Sequence, residues 1–397
     1  MHAANPFLFE LFVIFVWAKL CGELFERLKL PAVLGEILAG IAIGPFGIGL
    51  VVPSPAINDL AEVGAIFLLF TVGLETQPKE LLSVGRTSLY VALAGITVPF
   101  ISGFAYMLAS HHSPTEATFV AAAMVATSVG ITARILGDMN LLRSKPARII
   151  LGAAVFDDIL GMVLLGVVVG VASPGGTNWA QLLVTAGEAV AFALIMIFYA
   201  PRVVRRMEPG LQRMSTPDAP LIIALAICLG LSYAAEKIQL AAIIGAFFAG
   251  LAFADFSPQW NLRPRVLAIN EFLAPYFFFT MGARLDIRVF DGGLVASALV
   301  VFVLAFLTKL IGCGLPALRF GWKTAAKIGM GMVPRGEVGL IVALVGLQKN
   351  LVSGRAYALV IFMTGATTLV APPLVKLLFR SEGVAAPAAV EERPAAM

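Results

Sequence analysis

Charge is what this chain lacks. Only 13% of its 397 residues are Asp, Glu, Lys or Arg, 59% are hydrophobic, and the mean hydropathy is +0.93. A soluble domain carries about 25% charged residues, so too little polar surface is present here to cover a water-soluble fold. Histidine and cysteine are equally scarce, at three each. Cys21, Cys228 and Cys313 are odd in number and all lie in apolar stretches, which excludes a disulfide framework and any cysteine metal spacing. They read as small core residues. His111 and His112 have no second ligand cluster and read as solvated loop residues. The net charge of +4 comes from basic residues set between apolar runs, so it gives no reason to expect nucleic acid as a partner. The first run lacks a basic leader and contains Glu10 and Lys19, which makes it a span rather than a signal peptide.

What is present is a series of thirteen apolar runs: about 6–28, 31–50, 60–76, 85–110, 115–137, 146–173, 178–207, 218–235, 238–256, 266–285, 292–316, 323–348 and 354–380. Most are long enough to cross a bilayer, which takes ~20 residues. The chain therefore reads as an all-α polytopic membrane protein. With the N-terminus outside, twenty of the 28 Lys and Arg fall in loops on the inner side and five on the outer side. Lys19, Lys309 and Arg335 lie within spans. Basic residues concentrate in cytoplasmic loops, so the N-terminus is expected outside and the C-terminus in the cytoplasm. Residues 381–397, rich in Ala, Pro and Glu, are expected to be a disordered tail.

An internal repeat runs through the spans. "LGEILAGIAIG" (34–44) aligns with "IGAFFAGLAFA" (244–254), "FLLFTVG" (67–73) with "YFFFTMG" (276–282), and "SVGI" (128–131) with "EVGL" (337–340). The offsets are 210, 209 and 209 residues, which is seven runs. An odd number means that the second copy enters the membrane from the opposite side. That is an inverted-topology repeat, an arrangement with a substrate site near the midplane between interrupted helices. The repeat points to 115–137, with Thr127 and Ser128 at mid-depth, and to 323–348, with Pro334, Arg335, Gly336 and Glu337. Proline removes a backbone donor, so both segments are candidates for mid-membrane breaks. Arg335, Glu337, Thr127 and Ser128 are candidates to neutralise the facing helix ends.

Asp157 and Asp158 sit side by side in the middle of run 146–173. An acid at the centre of a membrane helix costs roughly 2.5–3.5 kcal/mol on an insertion scale and marks an ion or proton path by default. Neighbours on a helix point ~100° apart, so the two acids face different surroundings. Lys309 is the deeply placed Lys of the second half and can pair with one of them. The other can hold a proton, or release it and take up a small cation; carboxylate, hydroxyl and backbone oxygens suit a hard cation. Proton and metal ion then compete for one site. Lys19 reads as snorkelling or locally paired, and Glu36, Glu62 and Glu188 as structural.

The segments "PAVLGEILAGIAIGP", "FLLFTVGLE", "ATSVGITARIL", "AAVFDDILG" and "GMVPRGEVGLIVA" resemble the signatures of NapA-type sodium/proton antiporters, in the second monovalent cation:proton antiporter family. The resemblance covers about residues 7–380, and the double Asp with the Lys in run 292–316 is its most specific part. It implies an NhaA-like antiporter fold of thirteen helices with two crossed discontinuous helices, in a homodimer. It also implies a dimer domain formed mainly by 6–50 and 178–256 and a core domain formed mainly by 60–173 and 266–380. Asp158 matches the family's ion-binding acid and Asp157 its Lys-paired acid, with Lys309 as partner and Glu337 near that pair. Thr127 and Ser128 match the unwound stretch near the ion.

The function expected on this resemblance is export of cytoplasmic Na⁺ or Li⁺ in exchange for about two H⁺ by an elevator-type movement, in a bacterial inner membrane. No cofactor and no enzymatic chemistry are expected. A K⁺/H⁺ antiporter would share every residue named, and a gated cation channel is a second alternative. An intramembrane aspartyl protease needs acids on separate helices, whereas these are adjacent.

Overall fold

The computed structural model describes residues 6–76, 78–172, 179–211, 218–238, 240–284, 292–336, 339, 342, 346–347 and 351–380. Glu337 and the 381–397 tail lie outside them. The described residues form helices and connecting turns, with no strand. In chain order the helices are α1 (Pro6–Arg27), α2 (Ala32–Ile43), α3 (Pro55–Glu75), α4 (Pro78–Ala109), α5 (Pro114–Val125), α6 (Val129–Asp138), α7 (Lys145–Ala172), α8 (Trp179–Phe198), α9 (Ala200–Leu211), α10 (Ala219–Lys237), α11 (Ala242–Phe253), α12 (Leu262–Ala283), α13 (Gly292–Gly314), α14 (Trp322–Gly331) and α15 (Gly354–Phe379). A 3₁₀ turn, Leu315–Phe320, links α13 to α14.

Each of the thirteen apolar runs carries helix, in order, and the exceptions have local causes. Run 178–207 divides at Tyr199 into α8 and α9, two residues before Pro201, which has no N–H to continue the ladder. Run 115–137 divides into α5 and α6 across Ala126–Ser128, and α14 stops ahead of Pro334. Two helix starts are written in the sequence as Ser followed by Pro. Ser54 accepts from the Ile57 N–H with Pro55 in the first turn, and Ser113 accepts from the Glu116 N–H with Pro114 in the first turn.

The repeat is realised as exchanged backbone contacts. A Cβ added to Gly40 would sit 2.0 Å from the Phe279 carbonyl oxygen, and one on Gly250 would sit 2.2 Å from that of Phe70. A Cβ on Gly73 would sit 2.2 Å from the Phe247 oxygen, and one on Gly282 2.0 Å from that of Ile37. A Cβ on Gly35 would sit 2.3 Å from the Cys21 oxygen, as one on Gly245 would from that of Leu231. Every contact maps onto its partner by the 209–210 residue offset. Only hydrogen fits at these crossings.

Those contacts tie α2, α3, α11 and α12 together, with α1 on α2 and α10 on α11. A second group is built by α4 packed on α5, α7 and α13, with α13 on α14 and α15. Segments 60–76 and 266–285, expected in the core half, thus pack most extensively in the first group. Their glycines draw them against α2 and α11.

Candidate functional site

Asp157 and Asp158 occupy consecutive positions of α7 and face different elements. Asp157 is 3% exposed, and both its oxygens accept from the fully buried Lys309 Nζ of α13, at 3.1 and 3.2 Å. The ammonium also donates to the carbonyl oxygens of Val125 at 2.7 Å and Gly95 at 3.0 Å, which uses its three N–H bonds. Each carbonyl is available for a reason. Val125 ends α5, and terminal carbonyls have no donor within the helix. Gly95 lies four residues before Pro99, inside α4, and proline returns no N–H to position i−4. A Cβ on Gly95 would sit 2.4 Å from Cys313 Sγ, so the missing side chain lets α13 come close.

Arg335 is fully buried. Its Nη1 donates to the Ala126 carbonyl at 2.9 Å, its Nη2 to that of Ala305 at 3.2 Å, and its own carbonyl accepts from Thr368 Oγ1 at 2.5 Å. The partly negative C-terminal end of α5 therefore meets two cations, Lys309 and Arg335. The equivalent end of α14 meets hydroxyls. Thr132 Oγ1 donates to the Gly331 carbonyl at 2.7 Å, and Thr127 Oγ1 to that of Met332 at 3.4 Å. The two breaks are joined directly, because the Ser128 N–H donates to the Pro334 carbonyl at 2.8 Å. Thr127 and Ser128 are buried at this crossing.

Asp158, the next residue along α7, is half-buried. It lines a cleft of about 20 Å³ with Val129 at the start of α6, Leu69 of α3, and Ile243, Ile244 and Phe247 of α11. That volume admits one water-sized occupant. Its walls come from both packing groups, so a movement of one group against the other would remake the surroundings of this acid. Among the described residues no cluster of three or more His, Cys, Asp or Glu is arranged to hold a resident metal.

Five of the seven residues named from sequence, Asp157, Lys309, Arg335, Thr127 and Ser128, meet at or beside the crossing of the interrupted helices. Asp158 faces the adjoining cleft, and Glu337 lies outside the described residues. Sequence reasoning missed Gly95 and Pro99, although a proline four residues after a glycine in an apolar run was a readable signal. It also counted Arg134 as a loop cation. Arg134 is instead in α6, 7% exposed, with Nη2 3.1 Å from Glu271 Oε1 and Nε 3.2 Å from Asp138 Oδ1. Lys19 Nζ reaches the other Glu271 oxygen at 2.9 Å and lies 4.0 Å from the buried Glu36. His112, expected to be solvated, is half-buried with Nδ1 2.6 Å from Glu116 Oε2. Glu116 also accepts from the Ser353 N–H at 2.8 Å, so this pair links the start of α5 to that of α15.

Among the described residues eight helical segments are long and apolar enough to cross a membrane, as a multi-pass membrane protein requires. Comparison with known proteins gives a consistent picture. The chain is 35% identical over 381 residues to the Na⁺/H⁺-K⁺ antiporter GerN of Bacillus cereus, covering 94% of this chain and 96% of that one. It is 32% identical to the high-affinity Na⁺/H⁺ antiporter NhaS3 of Synechocystis, covering 94% and 89%. The sodium/proton antiporter MjNhaP1 of Methanocaldococcus jannaschii superimposes with a TM-score of 0.66 at 18% identity, over 94% of this chain and 96% of that one. The family model for the transmembrane sodium/hydrogen exchanger matches residues 12–381, and the chain belongs to that family.

Proposed function

We propose that the chain is an electrogenic Na⁺/H⁺ antiporter in which Asp158 carries the cation or a proton and Asp157–Lys309 carries a second proton. The observation behind this reading is the division of labour within the acid pair. Asp157 has a cationic partner and Asp158 faces a cleft between two helix groups. Na⁺ binding at deprotonated Asp158, assisted by Asp157, draws Asp157 away from Lys309. The freed ammonium then loses its proton. The group carrying α4–α7 and α13–α15 slides against the group carrying α1–α3 and α10–α12, Na⁺ leaves on the far side, and two protons reload the site for the return. This assignment moves α3 and α12 to the stationary group, in keeping with their packing. Exchange of two H⁺ inward for one Na⁺ outward moves one net charge, so an interior-negative potential contributes ~2.3 kcal/mol per 100 mV. The setting is a bacterial inner membrane, with the N-terminus outside, the C-terminus in the cytoplasm, and a homodimer as the working unit.

A K⁺/H⁺ reading is kept because one relative is named for both Na⁺ and K⁺. Purified protein in proteoliposomes with a trapped pH dye, titrated with Na⁺, Li⁺ and K⁺ with and without an imposed potential, tests the proposal. Na⁺-dependent proton movement that the potential accelerates is expected. Conduction without a counter-gradient would point to a channel, and a response to K⁺ alone would replace Na⁺ as cargo.

A further inference from the structure

A second cavity, remote from the acid pair, holds about 480 Å³ where the N-terminal ends of α4 and α7 meet the 3₁₀ turn after α13. That is within the ordinary size range of small-ligand sites. Lys145, Arg148 and Arg319 line it with the hydroxyl residues Ser83 and Thr87 and the ring of Phe320. Two elements, α7 and the 3₁₀ turn, contribute the three cations and α4 the hydroxyls, and no carboxylate lines the cavity among the described residues. The contacts that hold two of these cations are to uncharged groups. Lys145 Nζ lies 3.9 Å from the centroid of Phe320, Arg319 Cζ lies 4.8 Å from the same ring, and Arg319 donates to Thr87 Oγ1. Lys145 and Arg319, like charges held by uncharged groups in one cavity, favour an anion placed between them. Guanidinium, ammonium and hydroxyl donors converging from several sides fit a tetrahedral, multiply accepting anion.

We propose that this cavity binds a phosphate group. The anionic phospholipid head group is its source in a bilayer, because the rim is lipid-like. Leu315, Leu318 and Trp322, beside Phe320, are each more than half exposed, and Trp favours the membrane–water interface. The cavity also lies on the face that collects most of the Lys and Arg, where acidic head groups bind basic pockets between helices. A phosphate seated there clamps together α4, α7 and the end of α13, the three helices that carry Gly95, Asp157 and Lys309.

The test is thermal unfolding of the delipidated full-length protein in neutral detergent. Phosphatidylglycerol, phosphatidylcholine and inorganic phosphate are added separately, and bound lipid is counted by native mass spectrometry. Phosphatidylglycerol is expected to raise the midpoint by several degrees and to appear as a retained adduct, with phosphatidylcholine doing neither. The double variant Lys145→Gln/Arg319→Gln should lose most of the rise and the adduct. Arg86→Gln, an exposed cation of α4 outside the cavity, should keep both. A rise with inorganic phosphate that the double variant loses, without a lipid adduct, makes a free anion the occupant. The proposal is overturned if neither source shifts the midpoint, or if the double variant responds like the parent. Should the double variant not fold, the single variant Arg319→Gln replaces it: a diminished adduct and shift support the site, and a response like that of the parent overturns it.

Discussion

Lys309 illustrates how a buried charge is made tolerable one bond at a time. It has a carboxylate, a helix-terminal carbonyl and a carbonyl stranded by proline. Removing one partner of such a pair costs about 3–5 kcal/mol because the other is left buried and charged. Lys309→Gln keeps a donor for the two carbonyls but no titrating group. It is expected to retain exchange while losing its dependence on membrane potential, read in proteoliposomes with an imposed potential. Unchanged voltage coupling would remove Lys309 from the proton count. Asp158→Asn keeps the shape of the cleft but cannot hold the cation as a carboxylate does, so dye-detected exchange should vanish while the melting midpoint stays close to that of the parent. Arg335→Ala strands the carbonyl of Ala126, just past the end of α5, while that of Ala305 keeps its bond within α13. A loss of about 1–3 kcal/mol follows from one unsatisfied buried acceptor, visible as a lowered melting midpoint, with Arg335→Lys recovering part of it.

Between elements, the bonds that cross from one helix group to the other bear most on transport. Arg134 of α6 holds Glu271 of α12, and the same carboxylate is shared with Lys19 of α1. If α6 travels with α7 while α1 and α12 stay, this pair must part in every cycle. Arg134→Cys with Glu271→Cys, joined by a cleavable bis-thiol cross-linker that spans the two lost side chains, is expected to arrest exchange, and cleavage to restore it. Full activity of the joined protein would show that α6 and α12 move as one body. The sequence exposed Arg134 only as one cation among many near a run's end. Hydrophobic periodicity does not separate a buried arginine in a helix from a loop residue, because its partner lies 137 positions away in the chain.

At the scale of the molecule, the thirteen runs, their order and the repeat were legible because apolar length and small-residue spacing are properties of the chain alone. Asp157, Asp158 and Lys309 stood out for the same reason, as charges where charge is scarce. Which acid would face Lys309 was not legible from composition and spacing, since that depends on how α7 is rotated against α13; the family resemblance named Asp157. The company kept by α3 and α12 was also hidden, although the motifs containing Gly73 and Gly282 were in view, because a glycine does not announce the backbone it will touch. Gly250→Val, which would press a branched side chain against the Phe70 carbonyl, is expected to lower the melting midpoint sharply. The equivalent change at the open Gly85, with nothing within 4 Å, should do little by comparison. The link between Ser128 and Pro334 has a different kind of resilience. It runs from main chain to main chain, so exchanging side chains around it leaves it standing, and the pocket chemistry is free to drift toward another cargo while the knot beneath it stays tied. Only a residue without an amide hydrogen at position 128 would cut that knot.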